Sequence, residues 1–231
     1  MMLEDVVRAA ARNNADWCAA VCRSHGLRSR ILDNVWTCDG EPPPYYPRLI
    51  SLAPGAAHLE KAIDDRRDGS GAWAVKDSFG ELRERPGLSR LFDAQWYVRH
   101  PRNGPNDRGQ LTAARDALQL TRWVDAWGAT PPDAPIFLPQ ILDDPGVTFL
   151  HDGLYRGGLA AYHGPSAPEI LGISNLFGPT GIRDRCLASL AAANPGWTLV
   201  GYGAEEEVAA LSSLGFGPAG RLTIWRVNDA D

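Results

Sequence analysis

The clearest chemical signal in this chain of 231 residues is a glycine-containing turn between a predicted strand, residues 169–177, and a predicted helix. The turn and the first residues of that helix read GPTGIR. Small residues let a backbone approach an anion closely, and the N–H groups at the start of a helix favour a phosphate. The sequence therefore predicts a phosphate-bearing cofactor here, with an ordinary connecting turn as the alternative.

The four cysteines indicate a second, less favoured chemistry. Cys18 and Cys22 are one helical turn apart and would combine with Cys38 and His25 in a zinc site. The short C-x-x-C spacing typical of such sites is missing from the sequence. Reduced, partly buried thiols are therefore the favoured interpretation, and no metal is predicted.

Composition limits the function classes that we consider. A net charge of -5 and the lack of a run of basic residues argue against a nucleic-acid partner. The N-terminus does not resemble a signal peptide, and no apolar run approaches the ~20 residues that a membrane-spanning helix needs. We therefore expect a cytoplasmic protein without a membrane partner. Abundant arginine, alanine and glycine with only two lysines indicate a GC-rich bacterial genome. The oligomeric state is left open.

The first part of the chain predicts one long helix followed by strands. Apolar residues recur at helical spacing over residues 4–24. Strands are then predicted over residues 30–38, 46–52, 71–79 and 91–99, with a short helix over 58–67. The segment HPRNGPNDRG after the last of these is the best linker in the sequence. We divide the chain into an N-terminal α/β region, residues 1–91, and a second domain, residues 92–231.

The second domain alternates helices and strands, which predicts an α/β fold with a mixed sheet. Helices are predicted over residues 110–127, 136–142 and 205–214, and on a segment with Cys186, Leu187, Leu190 and Ala191 on its apolar face. Strands are predicted over residues 147–150, 157–163, 169–177, 198–202 and 221–227. Residues 72–99 weakly resemble 198–227, so the N-terminal region is either a degenerate copy or similar by coincidence.

This order of parts resembles the GNAT superfamily of acyl-CoA N-acyltransferases. The resemblance rests on GLAAYHG and ILGISNLFG for the third and fourth strands, GPTGIRDR for the cofactor turn, TLVGY for the fifth strand and AALSSLGFGPAGRLTIW for the closing helix and strand. It covers roughly residues 92–231. It implies a GNAT-like fold, in tandem with a degenerate N-terminal half if the internal similarity is genuine.

The resemblance also implies acetyl-CoA or another acyl-CoA as the cofactor. In the family, the fourth and fifth strands splay apart, which frees backbone groups for the pantetheine arm. The residues that would provide this backbone are Ile173, Ser174, Asn175, Leu176 and Phe177. Those that would bind the pyrophosphate are Gly178, Thr180, Gly181, Ile182 and Arg183. The turn departs from the family pattern at Pro179, which has no N–H to donate.

Catalytic residues follow from the same comparison. The family often has a tyrosine four residues before the glycine of Leu-Gly-Phe, where it protonates the departing thiolate, and this chain has Leu211 there. Tyr202 is the predicted replacement, and Glu205 is the nearest candidate base. The other candidate bases are His151, His163, Asp77 and Asp93.

The acceptor would lie against the N-terminal region. We predict Trp36, Tyr46, Asp77 and Trp96 as substrate residues, with Tyr45 and Trp73 also available. Aromatic rings and an acid suit an amine, and core packing is the alternative for these residues. The expected function is acyl transfer, above all of acetyl, to a small-molecule amine by direct attack on the thioester. Two alternatives stay open: different thioester chemistry, such as decarboxylation or use of a carrier-protein-bound acyl group, and a non-catalytic binding module.

Overall fold

One mixed sheet runs through the described part of the chain. The computed structural model describes residues 2–67, 71–102, 111–128 and 135–228. Its strands are β1 (Arg28–Leu32), β2 (Val35–Asp39), β3 (Leu49–Ser51), β4 (Trp73–Asp77), β5 (Leu88–Arg99), β6 (Thr112–Ala113), β7 (Val147–His151), β8 (Gly158–Tyr162), β9 (Ile170–Phe177), β10 (Thr198–Gly203) and β11 (Gly217–Val227). Their order is β1-β2-β3-β4-β11-β5-β10-β9-β8-β7-β6. Of the described pairs, β3 with β4 and β9 with β10 are parallel.

Helices cover both faces of this sheet. They are α1 (Leu3–Ser24), α2 (Ala56–Asp64), α3 (Ala117–Trp127), α4 (Thr180–Ala193) and α5 (Glu205–Ala210), with 3₁₀ helices over Pro139–Asp143 and Leu211–Leu214. Successive strand residues point to opposite faces. Accordingly, Val200 packs in the core that contains α1, whereas Leu199 packs with the apolar side of α4. None of the helices in the described ranges is long and apolar enough to cross a membrane.

The predicted strand over residues 30–38 is wrong, because this segment is the hairpin of β1 and β2. The chain reverses at Asp33 and Asn34, whose φ angles are 49° and 61°. Aspartate and asparagine tolerate this left-handed conformation without a glycine, so the turn was not recognised in the sequence.

Two predicted helices also differ from the structure. The predicted helix over residues 110–127 starts at Ala117, where the Asp116 side chain accepts a hydrogen bond from Gln119 N at 2.8 Å. Capping of this kind fixes the start of a helix. The predicted helix over residues 136–142 is a 3₁₀ turn. Most of the predicted linker, residues 103–109, lies outside the described residues.

The predicted domain boundary between residues 91 and 92 lies inside β5. Strand β11 pairs with β4, which precedes the boundary, and with β5, which spans it. Strands from both predicted regions therefore share one sheet. The division into domains, and the degenerate N-terminal half, stay predictions.

Strands β9 and β10 pair over a short length and then separate. Their partners are Ile170 with Thr198, Leu171 with Leu199 and Gly172 with Val200. Beyond these pairs, β9 continues to Phe177 and β10 to Gly203. On its other side β9 stays paired with β8, with an irregularity near Asn175, whose φ is 52°. The splayed strands that the resemblance implied are therefore present.

Helix α1 is anchored beside this gap by a buried asparagine. The Nδ2 group of Asn13 donates to the backbone oxygens of Tyr162 at 3.1 Å and of Ile170 at 3.4 Å. A Cβ atom at residue 172 would overlap Asn13 Oδ1. Glycine at position 172 thus lets α1 lie close to β9.

We expect Gly172→Ala to destabilise the protein by about 1–3 kcal/mol, because the added methyl group displaces Asn13 from a packed interior. Gly196→Ala is the matched control, since a Cβ there meets no atom within 4 Å. Chemical denaturation of both variants measures the difference in the free energy of unfolding. Equal stabilities would contradict the close contact between α1 and β9.

Candidate functional site

A cavity of about 280 Å³ lies at the gap between β9 and β10. Its walls include Tyr97 and Ile173, whose side chains pack on the α4 face of the sheet. They also include Asn14 of α1 and Tyr202, which packs against the core on the α1 face. The cavity therefore has walls on both faces of the sheet.

The free side of β9 forms one wall of this cavity. Four of the five residues that were predicted to offer backbone to the pantetheine arm line it: Ile173, Ser174, Asn175 and Leu176. Phe177, the fifth residue of that prediction, is buried instead against Trp123, with ring centroids 5.1 Å apart. Beyond Gly172, the backbone groups of β9 that face the gap have no strand partner within the described ranges, and they need another hydrogen-bonding group.

The start of α4 forms the next part of the wall through Thr180 and Arg183. Its N-cap residue, Pro179, has no side chain that caps the helix. The Pro179 oxygen accepts hydrogen bonds from the backbone N–H groups of Ile182 and Arg183 at 2.8 and 3.0 Å. Within the described residues, the N–H groups of Thr180 and Gly181 have no acceptor. Such free groups at a helix start suit an anion.

The two glycines of the turn differ in their surroundings. Gly178 has a φ of 106°, and a Cβ there would lie 2.6 Å from the Arg156 oxygen, so the turn requires glycine. A Cβ on Gly181 would meet no atom within 4 Å. Neither glycine, nor Ile182, is part of the cavity lining.

An ion pair links α4 and α5 beside the cavity. Arg183 Nη1 lies 3.3 Å from Glu207 Oε1, and both residues line the cavity. The other Glu207 oxygen accepts a hydrogen bond from Ala204 N at 3.2 Å, which caps α5. The sequence did not indicate Glu207 as a site residue, although it predicted Glu207 in the first turn of a helix. A phosphate bound at α4 would compete with Glu207 for Arg183.

Tyr202 is held from two sides. Trp96 is its cross-strand partner on β5, with rings 5.4 Å apart at 77°. Lys76 Nζ donates to Tyr202 Oη at 3.1 Å and lies 4.2 Å from the ring centroid. An ammonium group can only donate, so the Tyr202 oxygen accepts this bond and its own hydrogen stays available to a second acceptor.

The position where the family often has a tyrosine also reaches the cavity. Leu211 begins the second 3₁₀ helix and is part of the lining. Its side chain has no proton to donate, so this wall is apolar. Tyr202 enters the same cavity from the strand.

Of the four predicted acceptor residues, the cavity contains Tyr46, together with Tyr45, Pro47 and Trp17. Trp36 is buried in the core outside the lining. Trp96 lies behind Tyr202, and its indole N–H donates to Ser78 O at 2.8 Å.

Asp77 caps the turn after β4, outside the cavity. Its carboxylate accepts hydrogen bonds from the backbone N–H groups of Phe79, Gly80 and Leu82 at 3.3, 3.0 and 2.8 Å. Strand alternation sends the neighbouring Lys76 to the α1 face instead. The sequence thus predicted the acid Asp77 at the site, whereas the cavity wall contains its neighbour, the cation Lys76.

The predicted base Glu205 is exposed and lines a second hollow, with Arg90, Asp93 and Thr223. The candidate His151 stacks on Tyr155 with ring centroids 3.8 Å apart. His163 packs against Trp197. All the candidate bases, Asp77 included, lie outside the lining of the first cavity.

The cysteines are free and buried. Cys18 lines the cavity, and burial raises the pKa of its thiol to about 11 even though Lys76 acts in the opposite direction. His25 is turned to the Ile136 oxygen, 2.8 Å from its Nε2. Within the described ranges, no cluster of three or more His, Cys, Asp or Glu side chains is arranged to hold a metal.

Comparisons with solved structures identify the fold. A GNAT-family protein from Novosphingobium aromaticivorans is 14% identical, with 96% of this chain and 99% of that chain covered and a TM-score of 0.58. A GCN5-related N-acetyltransferase from Kribbella flavida is 13% identical, with 94% and 95% covered and a TM-score of 0.60. One from Sphaerobacter thermophilus is 11% identical, with 96% and 93% covered and a TM-score of 0.51. No protein-family model and no curated protein matches the sequence. The chain therefore has the GNAT fold that the sequence resembles.

We expect the Cys18 thiol of the native protein to resist modification at pH 8. A thiol with a pKa of about 11 is thiolate in roughly one molecule in a thousand at that pH, and only the thiolate reacts. A chromogenic disulfide reagent should label all four cysteines in denaturant and should leave Cys18 unlabelled in the native state. Rapid native labelling of Cys18, located by mass spectrometry, would contradict its burial.

Proposed function

We propose that this chain, which has the GNAT fold, transfers an acyl group, above all acetyl, from coenzyme A to the nitrogen of a small-molecule amine. The observation that carries the proposal is the gap between β9 and β10, with its cavity between the start of α4 and Tyr202. The amides of a pantetheine arm are suitable partners for the backbone that β10 leaves free. The structural neighbours, which include N-acetyltransferases, support the same activity.

The pyrophosphate would bind at the start of α4. Thr180 and Gly181 offer backbone N–H groups there, and the helix dipole favours a negative charge. Arg183 would exchange its contact with Glu207, now 3.3 Å away, for a phosphate oxygen. The exchange costs little because both arginine contacts are charge-assisted.

In the reaction, the cofactor from the α4 face and the amine from the α1 face would meet at the gap. The amine nitrogen attacks the thioester carbonyl carbon, a C–N bond forms and the C–S bond breaks. The nitrogen would lose one proton through water to solvent and the departing thiolate would gain one, so the products would be an amide and free coenzyme A. A backbone N–H of β9 would polarise the carbonyl, and Tyr202 would supply the proton that its contact with Lys76 leaves available.

Titration of acetyl-CoA, followed by heat or by melting temperature, tests the cofactor step. We expect a dissociation constant between micromolar and roughly 1 mM, the ordinary range for enzyme substrates. Arg183→Gln should weaken binding about tenfold, because a charge-assisted contact is lost. Arg185→Gln is the matched control, since Arg185 is exposed on the same helix outside the lining.

Lack of binding at millimolar acetyl-CoA would reject the coenzyme A function. Equal affinities of the two arginine variants would instead remove Arg183 from the cofactor site and leave the activity itself in place.

We expect Tyr202→Phe to reduce acetyl transfer at least tenfold at unchanged acetyl-CoA affinity, because only the proton donor is removed. Tyr155→Phe is the control, as Tyr155 stacks on His151 outside the lining of the cavity. Melting temperatures show that both variants are folded. A rate equal to that of the wild type would exclude Tyr202 as the general acid.

A further inference from the structure

Lys76 is a buried cation without an acidic partner. It is 2% exposed. Its ammonium group bonds two neutral oxygens, Asn14 Oδ1 at 2.6 Å and Tyr202 Oη at 3.1 Å. Within the described residues, no carboxylate oxygen lies within 4.0 Å of Lys76 Nζ, which is the distance limit for an ion pair. A buried charge is normally paired, and within the described residues the ammonium group of Lys76 lacks such a counter-ion.

The cavity wall around Lys76 also lacks acidic residues. The lining residues from α1, from the segment before β3 and from β4 include no acid; they are Asn14, Trp17, Cys18, Tyr45, Tyr46, Pro47 and Lys76. The acids of the lining, Asp184 and Glu207, belong to α4 and α5 on the other face of the sheet. The α1 side of the cavity therefore attracts an anion.

Hydrogen-bond donors remain on the same wall. Two of the three N–H groups of Lys76 are used by Asn14 and Tyr202, which leaves one. Asn14 turns its oxygen to Lys76, so its Nδ2 group, which has no acceptor among the described residues, is a second donor. Two neighbouring donors match the two oxygens of a carboxylate.

We propose that the acceptor amine carries a carboxylate, which completes the ion pair of Lys76. This inference rests on the proposed function and specifies its substrate class. The rings of Trp17, Tyr45 and Tyr46 on the same wall favour an amino acid with an aromatic or large apolar side chain. The cofactor's phosphates would lie at α4, on the opposite face, and so cannot serve as the counter-ion.

The test compares L-phenylalanine with 2-phenylethylamine as acceptors of acetyl from acetyl-CoA. The two amines share the ring and the amino group and differ in the carboxylate. We expect wild-type kcat/KM to be at least tenfold higher for phenylalanine, because a site with a buried charged group rejects an analogue that lacks its partner. Lys76→Met should reduce this ratio at least tenfold.

The chain provides its own control variant. Lys61 is the other lysine of the sequence, and it lies on α2 in an exposed ion pair with Asp65. Lys61→Met changes the net charge equally and should keep the preference for phenylalanine. If Lys76→Met does not fold, Asn14→Asp replaces it: the new carboxylate pairs with Lys76 from within the protein, and the preference should again disappear.

A binding measurement separates this inference from the activity. Calorimetry without cofactor compares the two reaction products, N-acetylphenylalanine and N-acetyl-2-phenylethylamine. Tighter binding of the first by wild type, lost in Lys76→Met or Asn14→Asp, supports a carboxylate site even if acetyl-CoA does not bind and the proposed function fails. If acetyl-CoA binds but neither assay shows a preference that depends on Lys76, the coenzyme A site stands and the carboxylate site is overturned.

Discussion

Strands β9 and β10 separate after Gly172 and Val200, and the opening that they leave joins the two faces of the sheet. An interior strand pair normally satisfies its own backbone groups, so a gap between paired strands exposes donors and acceptors that water or a ligand must satisfy. The cavity, the uncapped start of α4 and Tyr202 are all arranged around this opening. The proposed cofactor position follows from this backbone arrangement more than from any single side chain.

Helix α1 spans the opening through two consecutive asparagines. Asn13 bonds the backbone of β8 and β9 on one side of the gap, and Asn14 bonds Lys76 of β4 on the other. The N-terminal part of the chain therefore does more than extend the sheet. It closes the cavity on the α1 face and gives that face its positive charge.

Local patterns were sufficient for most elements. The helical spacing of apolar residues predicted α1, and the hairpin of β7 and β8 and the strands β9 and β10 were found from alternation and turn residues. The β1–β2 reversal was missed because Asp33 and Asn34 adopt a left-handed conformation without glycine. Along β4, the sequence predicted Asp77 as a site residue and did not single out Lys76, because it does not show which face of a strand meets a cavity; Asp77 caps the turn and Lys76 lines the cavity.

By itself, the sequence determined the order of elements, the glycine-containing turn and the resemblance to the GNAT fold, because these depend on residues close together in the chain. The tertiary structure decided which side chains meet. Lys76 and Tyr202 are 126 positions apart, and Arg183 and Glu207 belong to different helices. Such pairs depend on strand order and register, which bring distant segments to one opening and choose the face that each residue presents.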